Sequence, residues 1–327
     1  MPVLRTKLLT LHTSATFANV EGWRGDCLRK SRMKLPHFLI IGAPKAATTW
    51  LSRYLRAHPA VFMPPSEIHY FDRYYGNGTD WYSRLFERSR DDQVRGEKSA
   101  TYLASLQVPE RIFGLVPKIK LIAQLRNPID RAYSDYCMLL RRGDVSRNME
   151  DYLDPARASK LRFIADGEYG RHLTRWLSHF PREQFFVLLY EDIKSKPTDV
   201  LAEVSAFLQI EQQPAPSLMR PFNVKDEPRL PLGVRRALAP LKDLVAPYRK
   251  SPWFKAVHRT FARPFDYPPL PGDLRAKLND HFSSDIDQIE KILGREIVTW
   301  RELPENNNQA AAGEEDLLRA SELSRTA

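Results

Sequence analysis

The stretch that most restricts the fold of this chain runs from His37 to Trp50. Phe38-Leu39-Ile40-Ile41 is apolar at every position and too short for a helix, as expected of a strand buried on both faces. Gly42 and Pro44 end it in a tight turn. From Trp50 to Leu55 apolar residues return at helical spacing. Between strand and helix lie the small residues Ala43, Ala46 and Ala47, one lysine, Lys45, and two hydroxyls, Thr48 and Thr49. Strand, small-residue loop, lysine, hydroxyls and helix together make a phosphate cradle. Backbone N–H groups and the helix dipole favour an anion there. Lys45 adds a full charge, and Thr48 and Thr49 add donors. The G-x-x-x-x-G-K-[ST] loop of nucleotide kinases is a different device, because Lys45 comes three residues after the only glycine, Gly42.

The same alternation continues. Val61-Phe62-Met63 reads as a short strand, halted by Pro64 and Pro65. Lys118 to Leu125 and Phe185 to Tyr190 read as buried parallel strands. Helical spacing recurs from Pro128, from Glu168 to Phe180, from Pro197 to Leu208, and from Pro271 to Leu293, where Gly294 supplies a stop. The expectation is a three-layer α/β fold: a central, mainly parallel sheet flanked by helices. Residues 1–34 are expected to form a loosely attached arm, 35–302 the folded domain, and 303–327 a polar tail.

With 50 basic and 40 acidic residues, the net charge of +10 fits either a generally basic surface or a groove for an anionic nucleotide or polyanion. No Lys/Arg run is dense enough to argue for nucleic acid. Cys27 and Cys137 make neither a disulfide framework nor a metal site. The apolar patch Leu8-Leu9-Thr10-Leu11 is too short for a membrane span. No integral membrane segment is expected, and the cytoplasm is the expected compartment.

Three further segments carry chemistry. In Ser66-Glu67-Ile68-His69-Tyr70-Phe71-Asp72, an extended backbone would put Glu67, His69 and Phe71 on one face, with a carboxylate beside an imidazole as an acid/base pair. In Arg95-Gly96-Glu97-Lys98-Ser99-Ala100-Thr101-Tyr102, Glu97 reads as the structural partner of a nearby Arg or Lys. In Arg126-Asn127-Pro128-Ile129-Asp130-Arg131-Ala132-Tyr133-Ser134, Arg126 at a strand end and Ser134 two turns into a helix can both meet an anion above the sheet.

Together these segments resemble the sulfotransferases that use 3′-phosphoadenosine 5′-phosphosulfate. The order Pro-Lys-x-small-Thr-Thr-Trp resembles their 5′-phosphosulfate loop, with Ala47 where the family usually has Gly. The departure is mild if residue 47 stays in the helical region. The segment from Glu67 to Asp72 is similar to the Glu-Ile-His-Phe-Phe-Asp signature of heparan sulfate glucosaminyl 3-O-sulfotransferases, in bacterial-type form. Residues 96–102 resemble their Gly-Glu-Lys-Thr-Pro-x-Tyr segment. The resemblance implies a P-loop-like fold and sulfuryl transfer to a carbohydrate hydroxyl or amine, with adenosine 3′,5′-bisphosphate as product and no metal required. It implies Glu67 as base, Lys45 as a catalytic cation, and His69 and Asp72 as supporting catalytic residues. Lys45, Ala46, Ala47, Thr48, Thr49, Trp50, Arg126 and Ser134 would bind the nucleotide, Trp50 by stacking on adenine. Lys225 and Arg229 are candidates for the 3′-phosphate, while Lys98 and Tyr102 would meet the acceptor. The alternatives are a P-loop-type nucleotide kinase, which would need a full Walker A loop and a metal-holding Asp, and a sulfotransferase acting on a small-molecule alcohol.

Overall fold

The computed structural model describes residues 33–214, 251 and 265–301. Most of the expected arm and the whole tail lie outside these bounds. Five strands form one sheet: β1 (Phe38–Gly42), β2 (Val61–Phe62), β3 (Val94–Lys98), β4 (Lys120–Leu125) and β5 (Phe185–Leu189), in the spatial order β2-β3-β1-β4-β5. Every pairing is parallel. The helices longer than one turn are α1 (Thr48–Ala57), α2 (Gly78–Arg84), α3 (Val108–Leu115), α4 (Pro128–Arg142), α5 (Tyr169–Leu177), α6 (Tyr190–Ser195), α7 (Pro197–Leu208) and α8 (Gly272–Leu293), and a single turn, Val298–Arg301, follows α8. Three single-turn helices, Glu150–Leu153, Pro155–Ala158 and Arg162–Ala165, fill the segment after α4.

Strand alternation divides the core in two. Phe38, Ile40, Ile122 and Leu188 face one layer, made by Leu51, Tyr54 and Leu55 of α1 and Val200, Leu201, Val204 and Leu208 of α7. Leu39, Ile41, Leu121, Ala123, Leu125 and Leu189 face the other, which takes in α2 to α5 and α8. All five residues of β1 are buried, which explains why that segment is apolar on both parities. The expected α/β architecture is present, with β4 starting at Lys120, two residues after the expected Lys118.

Helix α8 closes the domain. It ends at Gly294 in the left-handed conformation, at the stop expected from sequence. Its Asp285 accepts from the backbone N–H groups of Gly170 (2.9 Å) and Arg171 (3.0 Å), capping α5 from a neighbouring element.

The sheet order reverses direction at β1: the chain goes from β1 to the edge at β2, comes back to lay β3 between β2 and β1, and then crosses to place β4 on the other side. Ligands in open parallel sheets bind at such a switch point, beyond the strand C-termini. The loops after β1, β3, β4 and β5 all emerge at that end.

Gly96 of β3 lies opposite Phe38 in register, and a Cβ there would come within 2.1 Å of the Phe38 ring. Gly96→Ala is expected to lower stability by roughly 1–3 kcal/mol through overpacking, read as a lower urea midpoint. Adding Phe38→Leu should recover part of the loss. An unchanged midpoint in the single variant would contradict this packing.

Candidate active site

The loop after β1 is held from the β4 side. Ala43 N–H donates to the Gln124 carbonyl (2.6 Å), the Gln124 side-chain amide donates to the Ala46 carbonyl (3.3 Å), and Arg126 Nη1 donates to the Lys45 carbonyl (3.3 Å). Gly42 has φ +151°, and a Cβ there would lie 2.7 Å from both the Ala100 carbonyl oxygen and Leu103 Cβ, so only glycine fits. Lys45 (φ 71°) and Ala47 (φ 64°) both adopt positive φ. Positive φ beside helical residues is the kind of backbone from which anion nests are built, and here it lies at the mouth of α1. Ala47 therefore does not stay in the helical region: the glycine-preferring conformation is kept without the glycine, and Ala47 carries the left-handed penalty.

Cations gather around this loop. Burial pushes the Lys45 amine below its ordinary pKa; Asp135 counters that, and Arg126, Arg141 and Arg142 add to it. Lys45 Nζ lies 3.8 Å from Met138 Sδ on α4. Ser134 lies one helical turn before Met138, on the same face of α4. That helix starts cleanly because Asn127 Oδ1 accepts from the N–H groups of Ile129 (3.0 Å) and Asp130 (3.3 Å). Arg126 stacks its guanidinium over the Tyr190 ring, 4.5 Å from the centroid. Thr48 is buried and Thr49 exposed. Trp50 is half-buried, with its ring against the α1–α7 core layer.

On the β3 side, Glu67 Oε1 is 2.7 Å from Lys98 Nζ, and Glu67 Oε2 is 3.2 Å from His69 Nε2. Lys98 Nζ also donates to Thr49 Oγ1 (3.2 Å), so one ammonium joins the carboxylate to the start of α1. Burial by itself would raise the Glu67 carboxyl; hydrogen bonds from His69 and Lys98 outweigh it and hold the group at about 2. His69 is held at about 9 by Asp72 and then Glu67, against a smaller opposing effect of burial.

Residues 35–222 match the Sulfotransferase domain family. The chain belongs to that family. It is 35% identical over 189 residues to mouse (Mus musculus) heparan sulfate glucosamine 3-O-sulfotransferase 6, covering 55% of this chain and 54% of that protein. It is 36% identical over 188 residues to human (Homo sapiens) heparan sulfate glucosamine 3-O-sulfotransferase 5, covering 54% of each. The chain spans about half the length of these curated relatives. A Caenorhabditis elegans bifunctional heparan sulfate N-deacetylase/N-sulfotransferase 1 is 32% identical over 296 residues, 85% of this chain and 32% of that one. A sulfotransferase from Alicyclobacillus acidocaldarius has the same fold, with TM-score 0.61 and 24% identity over 82% of this chain and 99% of that one. The family match decides against the nucleotide kinase.

Within the sulfotransferase domain the predicted residues fall into two groups. Lys45, Ala46, Ala47, Thr48, Thr49 and Arg126 make up or hold the loop after β1 and the start of α1, Ser134 lies on α4 one turn before Met138, and Glu67, His69, Asp72 and Lys98 interlock beside the loop. Segment 66–72 is not an extended strand, and it does not carry Phe71 on the shared face. His69 has φ 54°, which bends the chain and brings its ring back to Glu67, while Phe71 is fully buried in the core. Tyr102 is not on the acceptor surface. It is fully buried, and its hydroxyl accepts from the Phe71 N–H (3.1 Å). Glu97 is not an ion-pair partner either: it lies buried near the Tyr82 and Tyr102 hydroxyls, and burial lifts its carboxyl to about 7. Neither Glu97 oxygen is in a well-aligned hydrogen bond. Lys225 and Arg229 lie outside the described residues.

Sequence reading passed over Met138, Arg141, Arg142, Tyr190 and Thr101. The first three follow Ser134 at steps of three or four along α4, a signal that was available. Tyr190 and Thr101 reach the site only through tertiary contacts.

Ala47→Gly is expected to raise stability by about 0.5–1 kcal/mol, the left-handed strain removed less the added freedom of the unfolded chain; a lower melting temperature would oppose this. The raised His69 pKa gives a second expectation. Its stabilisation is whole below about 6.5 and is lost as pH rises through about 9; that of Glu67 is whole above about 4.5 and is lost as pH falls through about 2. The difference in urea midpoint between the parent and His69→Gln should therefore be largest between these limits and shrink above pH 9. Glu97, whose carboxyl is likewise raised, loses stability in the same direction, but as pH rises through about 7, below the window in which the His69 difference shrinks. A pH-independent difference would mean that His69 is not a cation here.

Proposed function

We propose that the chain transfers a sulfuryl group from 3′-phosphoadenosine 5′-phosphosulfate to a hydroxyl of a carbohydrate acceptor by in-line displacement, with Glu67 as base. The observation that carries this reading is the Lys98 bridge, which ties Glu67 to Thr49 at the phosphate loop. A base for an acceptor is thereby held one side chain away from a loop suited to a donor.

The residues present fit such a donor. Lys45, Arg126, Arg141 and Arg142 cluster with Asp135 as the carboxylate among them, a cationic excess that suits a polyanionic nucleotide. Lys45, Thr48, Thr49 and the N–H groups opening α1 would hold the 5′-phosphosulfate. Arg126 and Ser134, on the far side of the loop, would hold the 3′-phosphate. The donor supplies the sulfuryl group and a phosphate leaving group. Glu67 accepts the acceptor's hydroxyl proton as the new O–S bond forms and the S–O bond to phosphate breaks. Lys45 faces the charge that develops on the departing oxygen.

Glu67 at about 2 is a weak base while Lys98 and His69 both hold it. An anion at the Thr49 side of Lys98 draws the ammonium away, which frees Oε1 and strengthens the base at the moment the donor is in place. The glycan acceptor rests on the relatives, which are named for heparan sulfate glucosamine and match this chain across the Glu67 segment's domain. An amino sugar within such a glycan is the acceptor class proposed.

The test has two arms. Adenosine 3′,5′-bisphosphate is expected to bind without Mg²⁺, and sulfate transfer from the labelled donor is expected to favour glucosamine-containing glycans over small alcohols. Glu67→Gln should lower kcat by about 10²–10⁴-fold while leaving bisphosphate affinity unchanged. Undiminished turnover in that variant would remove Glu67 as the base, and bisphosphate binding that fails without Mg²⁺ would remove the donor assignment.

A further inference from the structure

We propose that Thr101 is a positioning residue for the reaction, its hydroxyl locking His69 and Asp72 into the one protonation and orientation that hold Glu67. This deepens the function proposed above and rests on it.

The end of β3 and the turn after it hold the Glu67–Asp72 loop. Lys98 pairs with Glu67, Ser99 Oγ accepts from His69 N–H (2.9 Å), and Tyr102 Oη accepts from Phe71 N–H. Thr101 is the member that reaches the charged side chains. Its Oγ1 lies 2.5 Å from Asp72 Oδ2 and 3.2 Å from His69 Nδ1, and the last two atoms are 3.3 Å apart. The three form a closed triangle.

A hydroxyl has one proton and two lone pairs. At 2.5 Å from an ionised carboxylate oxygen, that proton is committed to Asp72. Toward His69, Thr101 then offers only a lone pair, so Nδ1 must carry a hydrogen, shared between Asp72 Oδ2 and Thr101 Oγ1. With Nδ1 protonated and Nε2 facing Glu67, both ring nitrogens donate and the ring is an imidazolium clamped between two carboxylates. Asp72 depends on the same hydroxyl: Thr101 is a partner of its Oδ2, while its Oδ1 is buried without one. Other charges bearing on His69 are Arg73, which opposes the cation, and the buried carboxyl of Glu97; Lys98 acts through Glu67. None of these sets the tautomer. Thr101 falls at the variable position of the Gly-Glu-Lys-Thr-Pro-x-Tyr pattern, so the family resemblance assigns it nothing.

Thr101→Val keeps the shape and removes the hydroxyl, while Thr101→Ser restores it. In Thr101→Val, kcat at saturating donor and acceptor is expected to fall about tenfold or more, with bisphosphate affinity unchanged. The His69 midpoint, followed by NMR in the protein without substrate, should move from about 9 toward the ordinary imidazole value, and the alkaline limb of the kcat–pH profile should move with it. Thr101→Ser should return all three readings toward those of the parent. Two results would overturn the proposal: a valine variant that keeps both kcat and the His69 midpoint, or valine and serine variants that are equally impaired. The NMR reading needs no turnover. A parent that transfers no sulfate would therefore reject the proposed function, while the His69 midpoint still decides whether Thr101 holds the ring.

Discussion

Complete burial of β1 is the constraint on which the other elements depend. A strand with no exposed residue must be paired on both edges and covered on both faces, because each unpaired backbone group or bare apolar side chain would carry a desolvation or exposure cost. β3 and β4 supply the edges, α1 and α7 one face, and α2 to α5 with α8 the other. Once β1 is central, its C-terminal loop has to open at the point where the sheet reverses order. The loops after β3, β4 and β5 then surround it without any element designed for that purpose alone.

That placement sorts the charges. The β4–α4 side contributes Arg126, Arg141 and Arg142, whose charges oppose that of Lys45, with Asp135 countering them. The β3 side contributes the carboxylates Glu67 and Asp72 with His69 between them. Lys98 stands at the boundary and contacts both sides. A buried or half-buried carboxylate needs such partners, since unpaired ions out of water are costly. The same partners that stabilise the Glu67 carboxylate also lower its affinity for a proton, so that affinity is coupled to whatever else competes for Lys98.

Much of this was legible in the chain. Short runs apolar on both parities mark β1, β4 and β5, and their alternation with amphipathic helices leads to a parallel sheet. Lys45, Arg126 and Glu67 stand at strand ends or just beyond, where side chains are free for chemistry. Other features resisted reading. Alanine at position 47 does not itself signal positive φ, because alanine is ordinarily helical; hydrogen bonds that include those with Gln124 and Arg126 hold the loop in that shape. The bend at His69 is equally silent: periodicity presumes an extended segment, and a single left-handed residue breaks the alternation. Tyr102 is assigned to the acceptor by resemblance alone, yet the turn after β3 sends its ring inward.

What the sequence by itself determined is the class of fold and the kinds of groups that meet an anion, because burial pattern and the order of strand, loop and helix are local properties of the chain. What only the tertiary structure decided is which of those groups work together. Lys98 reaches Thr49 from 49 residues away, and Thr101 reaches Asp72 from 29. Contacts of that kind are set by how the strands are ordered in the sheet and where one loop bends, neither of which leaves a periodic trace in the residues themselves.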